Sequence, residues 1–114
     1  MKIAVSAVGQ DQKAKLEPRF GRANYFVVYD TETEVYSVID NSEIQGTAHG
    51  AGPKTSQLIY DSGVKEVITG NGPGKNANQV LVAGGVVIYI CKEEITVEAA
   101  IAKHLNKELS VFTA

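Results

Sequence analysis

Arg19 and Arg22 are the only arginines in the 114-residue chain, and they flank Phe20 and Gly21 in one short box, Pro18-Arg19-Phe20-Gly21-Arg22-Ala23. Two guanidinium groups held this close offer forked donors to anionic oxygen or sulfur. Six of the eleven glycines, Gly46, Gly50, Gly52, Gly70, Gly72 and Gly74, fall in two loops, and Lys75 directly follows the second. Glycines at a helix entrance let backbone N–H groups come close to a bound anion. The same glycines can serve only tight strand-to-helix turns, and the arginines can equally pair with surface carboxylates. His49 lies within the first glycine loop, where an imidazole is exposed and movable, and it is the best candidate metal ligand; a solvated loop histidine is the alternative. Cys91, at a strand end in apolar surroundings, reads as a buried hydrophobe, with a thiolate near cluster chemistry as the alternative, and His104 fits a structural role on a helix.

Composition restricts what these groups can serve. Eleven basic against thirteen acidic side chains leave a formal charge of -2, which lacks the cationic excess that a phosphate-gripping protein needs, so nucleic acid is not an expected partner. One cysteine forms no intrachain disulfide, and with two histidines it is too little for a closed Cys/His zinc site. The apolar run Ile3 to Val8 is too short for a signal segment or a membrane span, so a cytoplasmic protein with no membrane partner is expected. The segment Gly70-Asn71-Gly72-Pro73-Gly74-Lys75-Asn76 is one residue too short for a P-loop, and Asn76 stands where that motif needs a magnesium-binding hydroxyl. Ile3 to Val8 and Val67 to Thr69 carry no carboxylate to hold the metals of a nuclease. No nucleophile and base pair can be named, so an enzyme is the least supported class.

The elements that position these residues belong to one expected domain over residues 1–114, because two cores of half this length would each be marginal. Short runs of small and β-branched residues at Ile3 to Val8, Glu66 to Thr69 and Val86 to Ile90 read as strands, the first and last buried on both faces. Tyr25 to Asp30 and Glu34 to Asp40 are aromatic-rich runs separated by Thr31-Glu32-Thr33, the pattern of an antiparallel hairpin. Pro53 and Gly63 bound a helix over about 53–62. Ala77, Val80, Leu81 and Gly84 share one face of a second helix that stops at Gly84-Gly85. Thr96 caps a third with Val97, Ile101 and Leu105 in a stripe, and Phe112 docks the tail. A hairpin beside strand one followed by right-handed crossovers predicts an α/β protein of ribonuclease H-like layout. Its mixed sheet has five strands in order 3-2-1-4-5, only strand two antiparallel, with three helices. That order gathers the carboxyl ends of strands one, four and five, where open α/β sheets bind ligands, together with the loops 9–22, 41–52, 70–74 and 91–95.

Met1-Lys2-Ile3-Ala4-Val5, the arginine box leading into Tyr25-Phe26, the helix entry Gly50-Ala51-Gly52, the stretch from Gly63-Val64 to Gly70 and Thr96-Val97-Glu98-Ala99-Ala100-Ile101 resemble the dinitrogenase iron-molybdenum cofactor biosynthesis family. The likeness spans almost the whole chain, and the box is its most specific part. It implies a small ribonuclease H-like domain that carries or assembles, without catalysis, iron-molybdenum cofactor, its precursors or another molybdenum-containing metal–sulfur cluster. Cluster-donor or acceptor proteins would be its partners. A glycine-rich, weakly basic pocket suits a preassembled anionic cluster that brings its own sulfide. The expected pocket comprises Arg19, Phe20, Gly21, Arg22, Gly50, Gly52, Gly70, Gly72, Gly74 and Lys75, with one metal bond from His49. Two other classes stay open: a regulatory module for a small anion or nucleotide at the same edge, and an interaction domain pairing through the hairpin that carries Tyr25, Tyr29 and Tyr36.

Overall fold

In the computed structural model, which describes residues 1–45 and 51–112, Ile3 to Ala7 of the first strand have no exposed surface because layers cover the sheet on both sides. The strands are β1 (Lys2–Ala7), β2 (Tyr25–Asp30), β3 (Tyr36–Asp40), β4 (Val64–Thr69), β5 (Val87–Ile90) and β6 (Ser110–Val111). The helices are α1 (Ser42–Gln45), α2 (Ala51–Asp61), α3 (Lys75–Ala83) and α4 (Val97–Leu105). The sheet runs β3-β2-β1-β4-β5-β6. β2 is antiparallel to both β1 and β3, while β1, β4 and β5 are parallel neighbours.

The expected order is therefore present, but the count of five strands and three helices is corrected to six and four. β6 is the extra strand and lies antiparallel to β5. Two exposed residues carry no periodicity to read. They are drawn alongside β5 by Phe112, whose N–H donates to the Ile88 carbonyl at 2.7 Å and whose ring packs on the core. α1 is a single turn nucleated by Asp40, whose carboxylate accepts from the Ser42 N–H at 2.8 Å and hydroxyl at 2.6 Å. β3 starts at Tyr36 rather than Glu34, because Glu34 sits at φ 59°, a turn conformation incompatible with a strand.

Two apolar layers close the sheet. Ile59 of α2 and Leu81 of α3 cluster with Phe26, Val67 and Ile88 of the sheet, and Val97 and Ile101 of α4 cluster with Ile3, Val5, Val27 and Ile68. Gly63 and Gly85 leave α2 and α3 at φ +80° and +76°, a region that glycine enters without strain. Thr96 caps α4 as expected, its hydroxyl accepting from the Ala99 N–H at 3.3 Å.

Candidate functional site

The segment after β1 folds back over the carboxyl ends of the strands as a strap instead of an open loop. The Glu17 N–H donates to the Ser6 carbonyl at 2.8 Å, Val8 N–H to Lys15 at 3.0 Å, and Leu16 N–H to Ile95 at 2.9 Å. Leu16 is buried beneath it. Below the strap, the buried hydroxyls of Ser6 and Thr69 lie 2.9 Å apart and between them reach the carbonyls of Glu17 at 2.6 Å and Pro18 at 3.4 Å. The Pro18 carbonyl also accepts from the Asn71 N–H at 2.7 Å. Arg19 and Asn71 consequently form a parallel bridge, which sets the arginine box beside the loop between β4 and α3.

The box is a single 3-10 turn, Phe20–Arg22, with Arg22 N–H donating to the Arg19 carbonyl at 3.2 Å. Phe20 is buried and meets Phe26 edge-on with ring centroids 5.4 Å apart, which fixes the inner side of the turn. Arg19 and Arg22 are exposed. One oxygen of Glu17 accepts from both the backbone N–H and the Nε–H of Arg19, each at 3.1 Å. With Arg19 this exposed, the pair contributes little to stability, and it leaves the guanidinium facing solvent. Lys75 is the exposed first residue of α3.

The glycines divide into two kinds. A side chain at Gly70 would put its Cβ 2.7 Å from Pro18 Cα, one at Gly52 would meet Ala77 at 3.3 Å, and one at Gly72 would overlap the Phe112 ring. These three give room to the chain's own atoms. Gly21 and Gly74 have open space where a Cβ would stand. His49 and Gly50, with Gly46, lie outside the described residues.

Beside the strap opens a cleft of about 380 Å³, floored by Leu16, Pro18 and Cys91 and lined also by Lys15 and Lys92. Neither lysine belongs to a motif, and only the convergence of the 9–22 and 91–95 loops pointed at them. Glu93, also at this cleft, is engaged by Lys103 at 3.1 Å, and the hydrogen bond and charge of that carboxylate hold the Lys103 ammonium above its ordinary pKa. Cys91 is buried, and its N–H donates to the Thr69 carbonyl at 2.9 Å. His104 is remote from this edge. Its Nε2 lies 2.7 Å from Glu66, and its ring meets that of Tyr89 at a 59° tilt with centroids 4.3 Å apart. Burial, then the Glu66 charge, push the Tyr89 hydroxyl pKa up. Among the described residues no three His, Cys, Asp or Glu side chains come together, and no helix is long and apolar enough to cross a membrane. What the described edge offers is exposed cations interleaved with the carboxylates of Glu17, Glu93 and Glu94, and close backbone.

Residues 1–107 match the family model described as dinitrogenase iron-molybdenum cofactor. Among solved structures, the chain is similar to the apo form of the orange protein from Desulfovibrio gigas, at 34% identity and a TM-score of 0.93, over 99% of this chain and 93% of that one. It is also similar to the NMR structure of a putative NifB protein from Thermotoga, placed in the DUF35 family, at 37% identity and a TM-score of 0.84, over 99% of this chain and 97% of that one. The crystal structure of PH0822, at 22% identity with a TM-score of 0.77 over 98% of this chain and 96% of its own, shares the fold. No curated protein matches the chain.

Proposed function

This chain belongs to the dinitrogenase iron-molybdenum cofactor family, and we propose that it binds and carries an iron–molybdenum or other molybdenum-containing metal–sulfur cluster at the carboxyl edge of its sheet, without catalysing a reaction. The observation that supports this reading is the Arg19–Asn71 bridge, which sets the arginine box beside the loop between β4 and α3, where Pro18 and Asn71 line an open cleft. A preassembled cluster brings its own sulfide and needs few protein donors, but its negative charge must be met. Arg19 and Arg22 meet it with forked donors, and Lys75 with the N-terminus of α3 adds positive potential. Gly21 and Gly74, with open space where a Cβ would stand, leave room for a bulky ligand. Gly52, Gly70 and Gly72 shape the edge indirectly, by admitting Ala77, Pro18 and Phe112. Phe20 holds the box down, and His49 supplies the single metal bond.

In this reading residues 1–114 act as one cytoplasmic carrier unit between cluster-donor and acceptor proteins. Its sheet is a ribonuclease H-like core, β3-β2-β1-β4-β5, extended by β6. Anaerobic mixing of the metal-free protein with isolated iron-molybdenum cofactor and, separately, with thiomolybdate plus iron or copper tests it, read as visible absorption and bound metal after gel filtration. Stoichiometric retention, lost on joint replacement of His49 and Arg19 by alanine, is the expected result. Retention of none of these clusters would overturn carriage and leave the edge to a smaller anion.

A further inference from the structure

Asn41 follows β3 at the carboxyl edge and has no exposed surface. Its side chain joins two parts of the molecule that are distant in sequence. Nδ2 donates to the Ala23 carbonyl at 2.9 Å, and Oδ1 accepts from the Thr55 hydroxyl of α2 at 3.1 Å. Its backbone N–H donates to the Asn24 carbonyl at 2.7 Å. Ala23 and Asn24 are the two residues that follow the turn bearing Phe20, Gly21 and Arg22.

A buried amide is costly unless both its ends are used, and here both are. Only a primary amide sets a donor and an acceptor back to back in one small planar group; a leucine would supply neither, and an aspartate would place carboxylate against carbonyl. Within the turn the Arg22 N–H donates to the Arg19 carbonyl at 3.2 Å, and Arg19 makes no side-chain cap. The front of the turn is tied by Asn71 to Pro18 and its inner side by Phe20. The rear is tied by Asn41.

We infer that Asn41 is a positioning residue for the arginine box: by fixing Ala23 and Asn24 against α2 it sets where Arg22 projects from the edge. The functional weight of this role rests on the proposal that the box binds a cluster. The placement of the box does not.

Two readouts therefore test it, the affinity of the whole chain for tetrathiomolybdate by visible titration and the amide hydrogen exchange of Arg22 in the ligand-free protein. Asn41→Asp preserves shape and the acceptor for Thr55 but removes the donor to Ala23. Thr55→Val removes the reciprocal donor, and Ile101→Val, on the buried face of α4, controls for a general loss of stability. Asn41→Asp is expected to weaken tetrathiomolybdate binding about tenfold and to speed Arg22 exchange by a similar factor, with Thr55→Val following in smaller measure and Ile101→Val changing neither. Affinity within about twofold of wild type in Asn41→Asp overturns the inference whatever the exchange does, and so does an equal loss in Ile101→Val. If Asn41→Asp does not fold, Thr55→Val decides by the same criteria. If the wild-type chain binds no tetrathiomolybdate, exchange alone decides: faster at Arg22 in Asn41→Asp than in Ile101→Val supports the role, and equal rates overturn it.

Discussion

The layer beneath α4 and the carboxyl edge are held together by opposite means. Val97 and Ile101 of α4 interlock with Ile3, Val5, Val27 and Ile68 of the sheet without a fully buried polar side chain among the described residues, and Glu66, Tyr89 and His104 satisfy one another where they are still partly exposed. All five buried polar residues described, Ser6, Asn41, Thr55, Ser56 and Thr69, lie at the carboxyl edge or on the part of α2 that leaves it. Apolar contact is non-directional and tolerates small shifts, whereas a buried hydrogen bond fixes direction as well as distance and penalises a missing partner. The α4 layer thus supplies stability, and the edge trades some of it for the placement of loops.

The comparison can be broken from either side. The largest expected effect is on the α4 layer, where Ile101→Ala should lower unfolding stability by about 3 kcal/mol in urea titration, yet leave cluster affinity of the folded protein unchanged. Gly70→Ala comes next, at about 2 kcal/mol, because the clash is with Pro18 backbone and no side chain can swing aside. Unlike Ile101→Ala, it should also weaken cluster binding, since the strap carrying the box must move. Thr69→Val should cost about 1 kcal/mol by the same measurement, having removed one of the two hydroxyls beneath the strap.

The smallest effect expected is at Asp40. The Ser42 hydroxyl first, then the Ser42 N–H, hold its carboxyl below the ordinary aspartate value. A lowered folded pKa means that this contribution is fully present above the unfolded pKa and is lost as pH falls through the folded one. Urea midpoints followed from neutral pH into the acid range should show a slightly shallower decline for Asp40→Asn than for wild type. An identical decline would separate α1 from that carboxylate.

Much of this arrangement is legible in the sequence where a pattern repeats. β1, the hairpin and the three longer helices carry enough period-2, apolar or 3.6-residue signal, and the caps at Thr96 and Gly63 are local. α1 and β6 are too short to show a period and exist because of the contacts made by Asp40 and Phe112. The arginine box is visible as residue types, and the resemblance that rests on it holds. The loop glycines look alike in sequence, but those described differ in what surrounds them. Gly70 and Gly72 answer to Pro18 and Phe112, partners far away along the chain that no local pattern can announce. Asn41 is hidden for the same reason: an asparagine after a strand reads as a turn residue, and its value lies in bonds to Ala23 and Thr55.

The most direct test of the edge as a cluster site is an anaerobic visible-absorption titration of wild type and the Arg19→Ala, Arg22→Ala double variant with isolated iron-molybdenum cofactor, with thermal unfolding of both proteins recorded alongside. Saturable binding by wild type, weakened about a hundredfold in a double variant of unchanged stability, is the predicted result, since two charge-assisted contacts are removed. Equal affinity of the two proteins would contradict the central claim, because the cluster would then be held without the box.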